Sequence, residues 1–135
     1  MMATMTPEDL HSLFVQHFNA GGLEALVELY EPSAILVPEP GFSATGHATI
    51  REALRRFLGL KGNMQMQVRT VLRSVDVALL LSDWTVIGKA PDGAEVRLQG
   101  QTTDVVRRQP DGRWLIAIGN PFGTKAVTDG EGKGT

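Results

Sequence analysis

Two Pro-Asp-Gly triplets, at residues 91–93 and 110–112, divide the second half of the chain and are strong turn signals. On either side of them, apolar and polar residues alternate with a period of two, which is the pattern of β-strands. Strands joined by tight turns pair with their neighbours in antiparallel order. The sequence therefore predicts a meander of long strands over residues 64–74, 77–89, 94–108 and 113–119.

The first half of the chain carries helical patterns instead. A first helix is predicted to begin at Pro7, with Thr6 as its N-cap, and to stop at the Asn-Ala-Gly-Gly run of residues 19–22. A second helix follows and is predicted to end before Pro32, with Tyr30 on its apolar stripe.

A short strand over residues 34–37 and a third helix, closed by Gly59, complete the first half. Helices followed by an antiparallel meander indicate an α+β domain, in which the helices gather on one face of the sheet. The stripe of the third helix that faces inward is formed by Ile50, Ala53, Leu54, Phe57 and Leu58.

The last strand and the segment 77–86 are apolar on both faces. The helices of one chain cover only one face of a sheet, so the second apolar face needs another surface to cover it. We therefore expect a homodimer that forms through the sheet face.

Composition excludes several classes of function. A chain of 135 residues has the size of one domain, and a net charge of −2 lacks the basic footprint of a general nucleic-acid binder. The absence of cysteine fits a reducing compartment.

We see no signal peptide, and the longest apolar run, residues 77–81, is too short to span a bilayer. We expect a cytoplasmic protein with no nucleic-acid or membrane partner and a flexible tail over residues 126–135.

Asp104 is predicted to point inward from the third strand of the meander. It shares its face of the strand with apolar and small residues, among them Gly100 and Thr102, which leave room beside it. Burial disfavours the charged form of a carboxyl group, so a protonated Asp104 could donate a hydrogen bond to a ligand oxygen. The alternative is a structural role, in which Asp104 accepts from a neighbouring hydroxyl or pairs with an arginine such as Arg69.

The order of these elements resembles the cone-shaped nuclear transport factor 2-like fold. The stretch "LYEPSAILVPEPGFSATGHATIREALRRF" is similar to SnoaL-like and ketosteroid-isomerase-like members of that superfamily, and "TDVVRRQPDGRWLI" is similar to the same group. The resemblance covers a domain over residues 5–125. It implies helices packed on a curved sheet with a ligand pocket inside the cone, but it leaves the function open, because this fold hosts enzymes, binding proteins and assembly modules.

Ketosteroid isomerase holds its substrate oxygen with a tyrosine and a protonated aspartic acid, and it uses an aspartate base. The resemblance places the aspartic acid at Asp104 and leaves Glu39, between two prolines, as the carboxylate nearest to the base. The oxyanion tyrosine falls on Phe14, which has no hydroxyl, whereas Tyr30 matches a supporting tyrosine. An exposed loop carboxylate is the alternative for Glu39.

Histidines supply a further candidate. His17 lies on the apolar stripe of the first helix and is predicted to face the interior, as an acid–base or ligand-contacting residue or as a hydrogen-bonded core histidine. His11 is predicted to lie off that face, because it comes six positions earlier. The histidines and acidic residues show no recurring ligand spacing, so no metal site is expected.

Three further positions complete the candidate pocket. Asp83 and Trp84 are neighbours on the predicted strand over residues 77–89, so one of them must point inward. Periodicity leaves both orientations open. Asn120 follows the last strand, as a polar pocket residue or as a turn-forming residue before Pro121. The residues expected to contact a ligand are Phe14, Tyr30, Trp84, Thr102 and Asn120.

The first functional hypothesis is therefore a pocket for a compact apolar ligand with a carbonyl or hydroxyl group. Asp104 would donate a hydrogen bond to that oxygen, and Glu39 or His17 would move a proton. This arrangement permits acid–base isomerisation, cyclisation or dehydration, without a cofactor because no cofactor motif is present. The alternatives are the same pocket without turnover, and an assembly domain whose core is filled.

Overall fold

The computed structural model describes residues 4–124. A six-stranded sheet has the order β2-β1-β6-β5-β4-β3, and helices pack on one of its faces. The helices are α1 (Pro7–Asn19), α2 (Leu23–Val27) and α3 (His47–Leu58). The strands are β1 (Tyr30–Glu39), β2 (Phe42–Thr45), β3 (Asn63–Ser74), β4 (Val77–Lys89), β5 (Glu95–Arg108) and β6 (Trp114–Gly119).

The predicted α+β architecture and its meander are confirmed. Strands β3 to β6 pair in antiparallel order, and the sheet and helices form the nuclear transport factor 2-like cone fold. Local turn chemistry explains this, since Gly93 and Gly112 adopt the positive φ angles that the last position of each Pro-Asp-Gly turn requires. The tail predicted for residues 126–135 lies outside the described residues.

The prediction for the second helix was wrong at its end. The helix ends at Val27, and Tyr30 begins β1, which pairs in parallel with β6. Pro32 is tolerated within β1 because it lies between Tyr30 and Ile35, where the pairing with β6 is irregular. The short strand β2, which was not predicted, pairs with the far end of β1.

The inner and outer faces of the sheet differ sharply along β4. Its inward residues include Ser82 and Trp84, which are buried against the helices. Asp83 lies on the outer face, where it accepts hydrogen bonds from Arg69 and Gln101. This settles the orientation that the sequence left open, and Arg69 is therefore the partner of Asp83 rather than of Asp104.

The outer face carries a row of apolar side chains that crosses five strands. Leu72, Leu79, Val105, Ile118 and Ile35 occupy successive register positions on β3, β4, β5, β6 and β1. Four of these five are large side chains that remain 36% to 59% exposed. No helix within residues 4–124 is long and apolar enough to cross a membrane.

Candidate functional site

A cavity of about 300 Å³ lies between the helices and the inner face of the sheet. Its wall is mostly apolar, and the polar side chains that reach it are few. Trp84 holds the chain after β6 against this space, because its indole N–H donates to the carbonyl of Pro121 at 2.7 Å and both residues line the cavity. The aromatic and thioether part of the wall consists of Phe14, Tyr30, Phe57, Trp84, Phe122, Met64 and Met66.

A buried polar chain runs from α1 to two neighbouring strands. Nε2 of His11 lies 2.7 Å from Oδ2 of Asp104, and Nδ1 of His11 lies 2.7 Å from the hydroxyl of Ser82. All three side chains are buried, but only His11 and Asp104 line the cavity. Both ring nitrogens of His11 are therefore occupied by protein partners.

The remaining contacts of Asp104 come from hydrogen-bond donors. Its Oδ1 accepts from the hydroxyl of Thr102 and, at 2.8 Å, from the backbone N–H of Asn120. Oδ1 of Asp104 therefore accepts two hydrogen bonds and Oδ2 faces an imidazole nitrogen, so both carboxyl oxygens have protein partners.

His17 is not among the residues that line the cavity, so the prediction that it faces the interior was wrong. His11 and His17 lie about 120° apart around the helix. α1 turns the His11 side toward the sheet, and His17, in the last turn, is half-buried beside the turn that ends at Gly22. The apolar stripe misled us because the buried side of α1 extends beyond it to include His11.

Tyr30 contributes a buried hydroxyl to the cavity wall. Its side chain packs beside Gly119, where a Cβ atom would lie 3.2 Å from the ring. Burial raises the pKa of Tyr30 well above its usual value, and the negative charge of Asp104 raises it further. Within residues 4–124 the hydroxyl has no hydrogen-bond partner, although buried hydroxyls normally have one. Tyr30 also lines the cavity, so a ligand there is a candidate partner for this hydroxyl.

Three of the other predicted contact residues line the cavity, and one does not. Phe14, Trp84 and Thr102 line the cavity. The side chain of Asn120 does not, because its amide donates to the hydroxyl of Thr103 at 3.0 Å and to the carbonyl of Gly123 at 2.9 Å. Asn120 forms the turn and acts on the site only through its backbone N–H.

Glu39 lies at the mouth of the cavity, as the sequence suggested, on the exposed end of β1. Arg56 of α3 lies at the same mouth. Sequence reasoning did not identify Arg56 or Ser82, and it wrongly placed His11 off the inward face of α1. Ser82 shares the inward parity of Trp84, and that signal could have identified it.

Within residues 4–124 no group of three His, Asp or Glu side chains is placed to hold a metal ion. A carboxylate acceptor and a phenol donor facing one apolar space are the components of general acid–base chemistry.

The model of the SnoaL-like domain family matches residues 12–116. Many solved structures share the fold. A ketosteroid isomerase-like protein from Erwinia carotovora atroseptica has a TM-score of 0.72 at 20% identity, over 82% of this chain and 88% of that one. A protein provisionally named a dehydratase of the nuclear transport factor 2-like family, from Streptomyces avermitilis, has a TM-score of 0.68 at 19% identity, over 83% and 89%.

A protein from Xanthomonas campestris, provisionally named a calcium/calmodulin dependent protein kinase II association domain, has a TM-score of 0.73 at 22% identity, over 89% of this chain and 86% of that one. No curated protein matches the sequence. At these identities the similarity to solved structures establishes the fold alone.

Proposed function

Because the chain belongs to the SnoaL-like domain family, we propose that it binds a small carbonyl compound in its cavity and catalyses proton transfer next to the carbonyl group. The observation that carries this proposal is the pairing, in one apolar cavity, of the acceptor Asp104 with the unpartnered hydroxyl of Tyr30. At the packing density of protein interiors, the cavity accommodates about ten to fifteen non-hydrogen atoms.

The proposed reaction begins with the carboxylate of Asp104. It removes a proton from the carbon adjacent to the ligand's carbonyl group, and the C–H electron pair moves into the enolate. The Tyr30 hydroxyl donates a hydrogen bond to the oxygen on which negative charge develops. With a β,γ-unsaturated ligand Asp104 then returns the proton to the γ-carbon, which gives an isomerase. With a β-hydroxy ligand Asp104 gives the same proton to the hydroxyl group as the enolate expels it as water, which gives a dehydratase.

His11 supports this reaction without exchanging a proton with the ligand. Its Nε2–H holds the charge of Asp104 and fixes the direction of the carboxylate, and the opposite nitrogen is occupied by Ser82. Glu39, at the mouth, is a second group that could accept a proton. The Glu39→Gln variant distinguishes its contribution to catalysis from that of Asp104.

Hydrogen–deuterium exchange at the methyl group of acetophenone tests the proposal, with NMR as the readout. Wild type should accelerate exchange in deuterated buffer. General base catalysis contributes about a hundredfold or more, so Asp104→Asn should lose an effect of that size. Asp83→Asn is the matched control, because it removes a carboxylate from the outer face of the same sheet.

Each alternative function has its own outcome in that experiment. Saturable binding of acetophenone without exchange would reduce the protein to a binding module, and the absence of binding would favour a domain whose role is assembly. Exchange that persists in Asp104→Asn but disappears in Glu39→Gln would move the base to the cavity mouth.

We also infer a homodimer that forms through the outer face of the sheet. The support is the apolar row from Leu72 to Ile35, which the helices of the same chain leave uncovered. Single exposed apolar residues are ordinary on protein surfaces, but a continuous row across five strands is typical of an interface.

A further inference from the structure

We propose that Arg56 selects ligands that carry a carboxylate group on the end directed to the cavity mouth. This inference rests on the proposed function, because it concerns the same cavity. It goes beyond that function by adding a second recognised group to the ligand, at the opposite end from the carbonyl that Tyr30 and Asp104 would engage.

The placement of Arg56 on α3 is the first observation. Ala53, Arg56 and Phe57 all line the cavity, and Arg56 and Phe57 follow Ala53 at the helical spacing of three and four residues. Arg56 is therefore on the cavity side of α3 beside the apolar residues Ala53 and Phe57, and it is exposed, which places it at the mouth.

The lack of a partner is the second observation. Each of the other arginines of α3 is paired, Arg51 with Glu24 at 2.8 Å and Arg55 with Glu52 at 3.3 Å. Within residues 4–124, Arg56 forms no ion pair, even though Glu39 lines the same mouth. A guanidinium fork that is free at a cavity mouth matches a carboxylate in shape and charge.

The chemistry of the interior is the third observation. Asp104 is already compensated by donors from His11, Thr102 and Asn120, so it does not require a ligand cation. The wall between Asp104 and the mouth is apolar and aromatic. The ligand class that fits all three regions is a flat keto acid, with its ketone at Tyr30, its ring against Trp84 and Phe57, and its carboxylate at Arg56.

A pair of ligands that differ only in charge tests this inference. Para-acetylbenzoate and para-acetylbenzamide share the ring and the ketone, but only the first is an anion. Calorimetric titration should give tighter binding of the benzoate to wild type. Arg56→Gln should weaken binding of the benzoate about tenfold, which is the usual value of one charge-assisted hydrogen bond, and should leave the benzamide unchanged.

Two further variants separate a local contact from the overall charge. Arg55→Gln removes the same charge from the neighbouring, paired position, and should leave both ligands unaffected. Glu39→Gln removes a like charge from the mouth and should strengthen binding of the benzoate alone.

Equal affinity of wild type for the two ligands, or equal losses in Arg55→Gln and Arg56→Gln, would overturn the carboxylate inference and leave the proposed function standing. Failure of wild type to bind either ligand would overturn both.

Discussion

Nε2 of His11 lies 2.7 Å from Oδ2 of Asp104, although the two residues are 93 positions apart in the chain. The contact joins the first helix to the third strand of the meander, and it is buried on both sides. A pair of this kind adds little stability over an apolar pair of the same volume, but it is costly to break by removing one partner. Its position at the cavity wall is therefore better explained by the chemistry of Asp104 than by folding.

Replacing His11 should damage the fold, whereas replacing His17 should not. His11→Gln leaves the buried carboxylate of Asp104 with a weaker partner, and we expect a loss of about 3 kcal/mol in the free energy of unfolding. His17→Gln is the matched control and should stay within about 0.5 kcal/mol of wild type. Urea denaturation measures both. Equal losses in the two variants would contradict the placement of His11.

Ser82→Ala tests the opposite nitrogen of the same ring. The variant leaves Nδ1 of His11 buried without a partner, so the free energy of unfolding should fall by about 1–3 kcal/mol. Ser74→Ala, at the exposed end of β3, is the control and should have no measurable effect.

The exchange rate and the affinity for acetophenone give a second test of the Ser82→Ala variant. Because Ser82 does not line the cavity, the affinity for acetophenone should be unchanged while the exchange rate falls. A loss of affinity with an unchanged exchange rate would place Ser82 in contact with the ligand and would contradict its positioning role.

Tyr30 makes a prediction about alkaline pH. Burial, with the charge of Asp104 as a second cause, raises the pKa of Tyr30 above its ordinary value of 10.0. The folded chain therefore holds this proton more tightly than the unfolded chain does. Stability from Tyr30 is fully present below pH 10.0 and is lost as the pH rises above it, by up to about 1.4 kcal/mol for each pH unit until the folded protein also ionises.

Spectroscopy can follow this titration without ambiguity, because Tyr30 is the only tyrosine in the sequence. The phenolate absorbance should appear near pH 10.0 in denaturant and only at higher pH in the folded protein. Tyr30→Phe should remove the phenolate signal in both states. Ionisation near the ordinary pKa in the folded protein would show that the hydroxyl is exposed to water.

The meander could be predicted almost to the residue, because its signals are local. Each Pro-Asp-Gly triplet specifies a turn, and the alternation on either side predicts the strands; β4 has the bounds that were expected. The start of β1 could not be predicted, since Tyr30 pairs with Ile116, a partner far away in the chain.

The site was predictable only in part, for the same reason. The inward parity of β5 predicts Asp104, but the burial of His11 depends on the side that α1 turns toward the sheet. That side is decided by long-range packing. The apolar pattern of the helix alone therefore favoured His17, which points elsewhere.

The apolar row on the outer face predicts the oligomeric state. Leu79 lies near the middle of the row, in register with Leu72 on one side and Val105 on the other. A buried lysine ammonium at this position would lack a partner, so Leu79→Lys should dissociate the homodimer that we infer. Sedimentation velocity at micromolar concentration measures the change. Met5→Lys is the control, because Met5 is 65% exposed, lies before α1 and is not part of the apolar row.

The same pair of variants separates assembly from catalysis. The cavity opens on the opposite face of the sheet, so a monomeric Leu79→Lys variant should still bind acetophenone and exchange its methyl protons. Loss of exchange on dissociation would mean that the partner subunit supports the site. A wild-type protein that sediments as a monomer would leave the row without its proposed partner and would contradict the homodimer directly.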